Sequence, residues 1–136
     1  MTPALWGILN VTPDSFSDGG LYLEPEDAIA RARQLVDGGA SVIDVGAESS
    51  RPGAERVSAE EEKRRLQPVV EALVAEGMTV SVDTMRAEIA ADMVKRGAQI
   101  VNDVSGGLAD PDMLATVAGL EASYVVMHWR SHSTEM

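Results

Sequence analysis

Five short apolar runs of the chain each end in a polar residue that packing alone does not require. Asn10, Asp44, Asp83, Asn102 and His128 stand at these five ends. In barrels and open α/β sheets, active sites gather at the carboxyl ends of parallel strands. One such residue can cap a helix or bind a loop amide, but five ends in register are hard to explain in that way. We therefore expect one shared site at this edge of a sheet.

Side chains alternate along a strand, and this alternation sorts the candidate residues by face. Asp83 shares its side with Ser81, and Asn102 shares its side with Ile100 and Val104. An aspartate and an asparagine that point into one concave site form complementary hydrogen-bonding groups. They suit a planar heterocycle with donors and acceptors, and a carboxylate that accepts two N–H bonds matches a guanidine-like edge. The pair indicates binding more than acid–base chemistry.

Two loops carry more functional groups than an ordinary turn needs. Residues 12–20 contain two aspartates, three hydroxyl side chains and Phe16, and residues 46–53 place Arg51 among small residues. A guanidinium in such surroundings can reach an anion. Asn10, with nearby aspartates, could bind Mg²⁺ through oxygen ligands and water. Solvated turns have a similar composition, and that alternative stays open.

The apolar runs are rich in valine and isoleucine, and several have apolar residues at both the odd and the even positions. They are residues 5–11, 42–45, 78–82, 99–104 and 123–129. Strands that are buried on both faces look like this, which favours a parallel sheet.

Helix signals lie between these runs. The predicted helices begin at Pro25, Ser58, Arg86 and Asp110 and are ended by Gly38, Gly77, Gly97 and Gly119. Ser58 and Glu61 form a capping box, and the charged run 60–65 is expected to be the solvated face of the second helix. The order βαβαβαβαβ indicates parallel strands joined by right-handed crossovers. An open doubly wound sheet and part of a (β/α)8 barrel both fit.

Composition narrows the class of protein. The 136 residues are 45% hydrophobic and 24% charged, as expected for one globular domain. The net charge of −11 would repel a phosphate backbone, which argues against general nucleic-acid binding. No apolar run approaches the roughly 20 residues of a membrane span, and residues 1–10 do not resemble a signal peptide. Without cysteine there are no disulfides or thiol nucleophiles, and we expect a cytoplasmic protein.

Several segments resemble the dihydropteroate synthases. Residues 8–20, ILNVTPDSFSDGG, are similar to the first signature of that family, and residues 44–53, DVGAESSRPG, are similar to the second. Residues 81–84, 102–104 and 127–130 fall where the family's third to fifth strand ends lie. Ala47 stands where the family usually has glycine, which is expected to restrict the second loop.

The resemblance implies a (β/α)8 TIM barrel and a reaction of folate biosynthesis. The amine of p-aminobenzoate would displace diphosphate from 6-hydroxymethyl-7,8-dihydropterin diphosphate and form 7,8-dihydropteroate. Mg²⁺ would be the cofactor, and sulfonamides would be inhibitors by analogy. The complete enzyme would be a homodimer that binds neither nucleic acid nor membranes.

The resemblance also assigns roles to residues. The pterin pocket would be lined by Asp83, Asn102, Val104 and Met127. The p-aminobenzoate site would be closed by Asp14, Phe16, Asp18, Ser50, Arg51 and Pro52. Asn10 would help to hold diphosphate and Mg²⁺. The catalytic residues would be Asp83, Asn102, Asp14 and Arg51.

Chain length conflicts with a complete barrel, which takes about 250 residues. The 136 residues provide five predicted strands and four predicted helices. The family's aspartate after strand six, its lysine on strand seven and its arginine and histidine near strand eight have no counterparts. We therefore expect residues 1–136 to be the N-terminal part of a single pterin-binding barrel domain, inactive alone. Two alternatives stay open: a barrel of the methyltetrahydrofolate methyltransferase type, and a non-catalytic half-barrel that binds pterin.

Overall fold

Five strands and four helices alternate along the chain in a computed structural model that describes residues 5–11, 25–47 and 57–126. The strands are β1 (Trp6–Asn10), β2 (Val42–Gly46), β3 (Val80–Asp83), β4 (Ile100–Asp103) and β5 (Ser123–Val126). The helices are α1 (Pro25–Asp37), α2 (Ala59–Ala75), α3 (Ala87–Lys95) and α4 (Met113–Ala118). The predicted order βαβαβαβαβ is confirmed. None of the helices in these three ranges has the length and apolar character that a bilayer crossing requires.

The strand order separates the two architectures that the sequence leaves open. All neighbouring strands are parallel, and the sheet runs β1-β2-β3-β4-β5. A doubly wound sheet reverses direction at a switch point, whereas here every crossover moves one strand further in the same direction. This winding is that of a (β/α)8 barrel, of which five strands and four helices are present.

The two faces of the sheet differ in chemistry. One face packs against the helices through buried apolar side chains, which are Leu9, Ile43, Val45, Val80, Val82 and Val101. The opposite face takes the alternate residues, which are Ile8, Asn10, Asp44, Ser81, Asp83 and Asn102. We refer to this second face as the concave face. Most of the polar residues at the strand ends lie on it.

Glycines end α2 and α3 in different ways. Gly77 has a φ of +81° and nothing within 4 Å of an added Cβ. Gly97 has a φ of +114°, and an added Cβ would lie 2.6 Å from Val74 Cγ1. Both backbone conformations disfavour a residue with a side chain. At Gly97 an added side chain would also clash with Val74, whereas at Gly77 it would meet open space.

The start of α4 differs from the sequence-based prediction. The helix begins at Met113, three residues after Asp110, and Asp112 takes the N-cap position. The Asp110 carboxylate instead accepts hydrogen bonds from Ala87 N at 2.8 Å and Asp112 N at 2.9 Å. Asp110 therefore binds the first backbone amide of the preceding helix, α3, with one oxygen and the amide of the N-cap residue of α4 with the other.

We expect Gly97→Ala to destabilise the full-length protein more than Gly77→Ala does. Both changes place alanine at positive φ, which costs about 1–2 kcal/mol, but Gly97→Ala also pushes against Val74, with overpacking typically costing about 1–3 kcal/mol. Urea unfolding of the two variants beside the wild-type protein measures the difference. Equal losses would show that Val74 moves aside without cost.

Candidate functional site

The predicted pair of Asp83 and Asn102 comes together on the concave face. Asp83 pairs in register with Asn102 on one side and with Gly46 on the other. Because the three strands are parallel neighbours, their carboxyl ends meet at one edge. A Cβ on Gly46 would lie 3.3 Å from Asp83 Oδ2, so the absence of a side chain at Gly46 leaves room for the Asp83 carboxylate.

Asp44 joins this pair; the sequence analysis counts it among the strand-end residues but gives it no role of its own. It lies on β2, it is 5% exposed, and its Oδ2 accepts a hydrogen bond from Asn102 Nδ2 at 3.2 Å. Its sequence position could have indicated this, because Asp44 lies two residues before Gly46 and therefore on the same face of β2, the concave face. The contact joins β2 to β4 across the strand between them, β3, whose Ser81 pairs in register with Asp44.

The polar atoms at the centre of the site are only partly satisfied. Asp44 Oδ1, Ser81 Oγ and Asn102 Oδ1 are buried and have no hydrogen-bond partner among the described residues. Burial raises the pKa of the Asp44 carboxyl above its usual value, and the polar side chains of Ser81 and Asn102 oppose this rise in part. Buried polar atoms without partners are rare in folded proteins, and three of the five in the described residues belong to Asp44, Ser81 and Asn102 of the concave face.

Asp103, the next residue after Asn102, faces the other side of the sheet. It is completely buried, and its Oδ1 accepts hydrogen bonds from the backbone N–H and the hydroxyl of Ser105. Its Oδ2 accepts from Gly107 N at 3.0 Å and from the Tyr124 hydroxyl at 2.9 Å. Burial and the nearby Asp103 carboxylate together raise the pKa of Tyr124. Asp103 therefore shapes the turn after β4 and takes no part in the concave site.

Asn10 and Val104 flank the pair, while the other predicted site residues lie outside the described residues. Asn10 is exposed at the end of β1, opposite Gly46, and Val104 is half-buried directly after β4. Outside the described ranges lie Asp14, Phe16, Asp18, Ser50, Arg51, Pro52, Met127 and His128. Within those ranges no group of three acidic or histidine side chains could hold a metal ion. An exposed amide oxygen such as that of Asn10 fits a Mg²⁺ ion that takes its remaining ligands from water and phosphate.

The connection between β2 and α2 is held at both of its described ends by arginines. Arg65 donates to the carbonyl oxygen of Ala47 at 2.8 Å and pairs with Glu61. Arg86 donates to the carbonyl oxygen of Val57 at 2.6 Å and pairs with Glu62, which is 2% exposed. The prediction of a solvated face over residues 60–65 is thus wrong for Glu62, because helix α2 turns that carboxylate toward Arg86.

Comparisons with known proteins identify the family of the chain. A family described as "Pterin binding enzyme" matches residues 6–136. The dihydropteroate synthase of Mycobacterium leprae is 53% identical over 129 residues, which cover 95% of this chain and 45% of the relative. The Bacillus subtilis dihydropteroate synthase is 50% identical over 125 residues, covering 91% and 44%. The chain therefore spans less than half the length of these curated relatives.

Solved structures give the same result. A dihydropteroate synthase from Clostridium difficile, crystallised in the presence of pteroic acid, superposes with a TM-score of 0.89 at 43% identity, covering 94% of this chain and 49% of its own. The Xanthomonas albilineans dihydropteroate synthase with 4-aminobenzoic acid gives a TM-score of 0.86 at 46% identity, covering 96% and 48%. These similarities support the barrel assignment for the present strands.

Replacing Asp44 by asparagine should change how stability depends on pH. The raised pKa means that the folded state binds the Asp44 proton more tightly than the unfolded state does. This group therefore stabilises the fold at low pH, and that contribution is lost as the pH rises through the folded-state pKa. We expect Asp44→Asn to raise the melting temperature of the full-length protein at pH 7.5, with the gain shrinking as the pH falls toward 3.8. Thermal unfolding across that pH range checks this, and a pH-independent difference would contradict it.

Proposed function

The chain belongs to the pterin binding enzyme family, and from that premise we propose that the full-length protein containing it is a dihydropteroate synthase. The nitrogen of p-aminobenzoate forms a bond to the methylene carbon of 6-hydroxymethyl-7,8-dihydropterin diphosphate. The carbon–oxygen bond to diphosphate breaks, and the nitrogen loses a proton. The products are 7,8-dihydropteroate and diphosphate.

The observation that carries this proposal is the Asp83–Asn102 pair at the carboxyl edge of a parallel sheet in barrel order. The two residues come from adjacent strands and share the concave face. A carboxylate beside an amide meets a flat ring that bears both donors and acceptors. The pterin ring is such a group, and its diphosphate tail would extend toward the exposed Asn10.

The proposed reaction depends more on stabilisation of charge than on a strong base. As diphosphate leaves, positive charge develops on the pterin, and the Asp83 carboxylate stabilises that charge from a fixed position. The aniline nitrogen needs to be held near the methylene carbon, which lowers the entropy lost in the reaction. Mg²⁺, held by Asn10 with substrate oxygens and water, would supply charge to the leaving diphosphate.

The p-aminobenzoate side of the site rests on residues outside the described ranges. We assign Asp14, Phe16 and Asp18 of the first loop, with Ser50, Arg51 and Pro52 of the second, to that substrate. A solved relative binds 4-aminobenzoic acid and another binds a sulfonamide drug, which supports the same substrate class here. A role for Met127 in the pterin pocket, a homodimer, a cytoplasmic location and a single barrel domain remain predictions.

Product analysis tests the proposed activity. The full-length protein is supplied with the dihydropterin diphosphate, p-aminobenzoate and Mg²⁺, and dihydropteroate and diphosphate are quantified together. A parallel reaction offers methyltetrahydrofolate and a cobalamin protein. Formation of dihydropteroate supports the proposal, whereas methyl transfer alone would assign the barrel to the other pterin-binding type. Pterin binding without either product would indicate a binding module.

We expect Asp83→Asn in the full-length protein to weaken binding of the dihydropterin. A hydrogen bond to a charged group contributes about 1.5–3 kcal/mol, so the dissociation constant should rise roughly 10- to 150-fold. Isothermal titration calorimetry measures the change. Unchanged pterin affinity would remove Asp83 from the pocket.

Residues 1–136 expressed alone should not form dihydropteroate at a useful rate. The Asp83–Asn102 half of the pocket is present, but the groups expected from strands six to eight are missing. Each lost donor to developing charge can lower the rate by about 10²–10³. An assay of the purified, sequence-verified chain beside a complete homologue decides this. A comparable rate would show that the catalytic groups are misplaced.

A further inference from the structure

The side-chain amide of Asn102 has a defined orientation. Its nitrogen donates to Asp44 Oδ2 at 3.2 Å. Its oxygen has essentially no accessible surface and no hydrogen-bond partner among the described residues, although the side chain as a whole is half-buried. The nitrogen uses one of its two hydrogens in the bond to Asp44 and keeps a second hydrogen to donate.

Asp44 is the group that decides this orientation. The two ends of an amide have nearly the same shape, so hydrogen bonding determines which end points where. An ionised carboxylate only accepts hydrogen bonds, and it therefore selects the nitrogen of Asn102. Because Asp44 is 5% exposed, solvent competes little for this contact.

We propose that Asp44 is a positioning residue that holds the Asn102 amide nitrogen beside the Asp83 carboxylate. The two neighbouring strands then offer a ligand one acceptor and one N–H donor. This arrangement recognises a heterocycle edge on which an N–H and a bare ring nitrogen flank one carbon. In a 7,8-dihydropterin, N8–H and N1 form such an edge. The inference rests on the proposed function for the identity of the ligand.

The ratio of the affinities for two related ligands tests the inference. The full-length wild-type protein and Asp44→Asn are titrated calorimetrically with 6-hydroxymethyl-7,8-dihydropterin and with its 1-deaza analogue, in which C–H replaces N1. The wild-type protein should prefer the first ligand about tenfold, the factor for one hydrogen bond. In Asp44→Asn the residue at position 44 can either accept or donate, so the Asn102 amide is free to turn. If the two orientations are equally populated, the preference should fall to about fivefold or less.

A stability control separates positioning from general damage. Ile89 is 3% exposed on α3, which covers the opposite face of the sheet. Ile89→Val should lower stability modestly while keeping the tenfold preference. If Asp44→Asn binds the dihydropterin but keeps the wild-type preference, the inference is wrong and the proposed function stands. If the wild-type protein does not bind the dihydropterin at all, the proposed function fails.

A second measurement observes the Asn102 amide directly. Asparagine-selective ¹⁵N labelling of the full-length protein resolves its two amide hydrogens, which are identified as the signals that Asn102→Asp lacks. In the free full-length protein, one hydrogen should exchange slowly because it is bonded to Asp44. Addition of the dihydropterin should slow exchange of the second. Two equally fast hydrogens in the free protein would overturn the inference.

Discussion

The alternation of side chains along parallel strands is the constraint on which both the core and the site depend. In β1 the same alternation leaves Leu9 1% exposed against the helices and Ile8 65% exposed on the concave face. In β3 it separates the buried Val80 and Val82 from Asp83. Because a shift of one residue would exchange the two faces, burial of the apolar set on the helix side simultaneously aims the polar set inward.

This coupling explains how much of the molecule can be predicted from sequence. Strand parity alone places Asp83 and Asn102 on one face, and glycine or capping signals locate the helices to within a few residues. The contact between Asp44 and Asn102 is different, since it joins β2 to β4 across β3. It depends on the stagger and curvature of the sheet, which no local pattern encodes. The bond from Ala87 N to Asp110 is also non-local, since it joins the start of α3 to the residues that precede α4.

Two buried aspartates of the sheet show why residue type is insufficient to assign function. Asp103 and Asp44 are both buried near strand ends. The two oxygens of Asp103 accept four hydrogen bonds from Ser105, Gly107 and Tyr124, so its burial is fully compensated. Asp44 keeps an oxygen without a described partner, and its burial is compensated only in part. The carboxylate with the incomplete hydrogen bonding is the one beneath the proposed pterin pocket, as expected where a fold gives up stability for function.

The arginine contacts around α2 hold the segment that follows β2. Glu61 and Glu62 lie in the first turn of α2, where the helix dipole favours negative charge. They pair with Arg65 and Arg86, whose remaining N–H groups bind the carbonyl oxygens of Ala47 and Val57. A carbonyl oxygen bound by a partly buried guanidinium has little freedom to move, since the donor is itself held by an ion pair. The glutamates in the first turn of one helix thus orient the two arginines that bind the described ends of the β2–α2 connection. In a barrel, the helix layer in this way supports the geometry of the strand ends as well as the hydrophobic core.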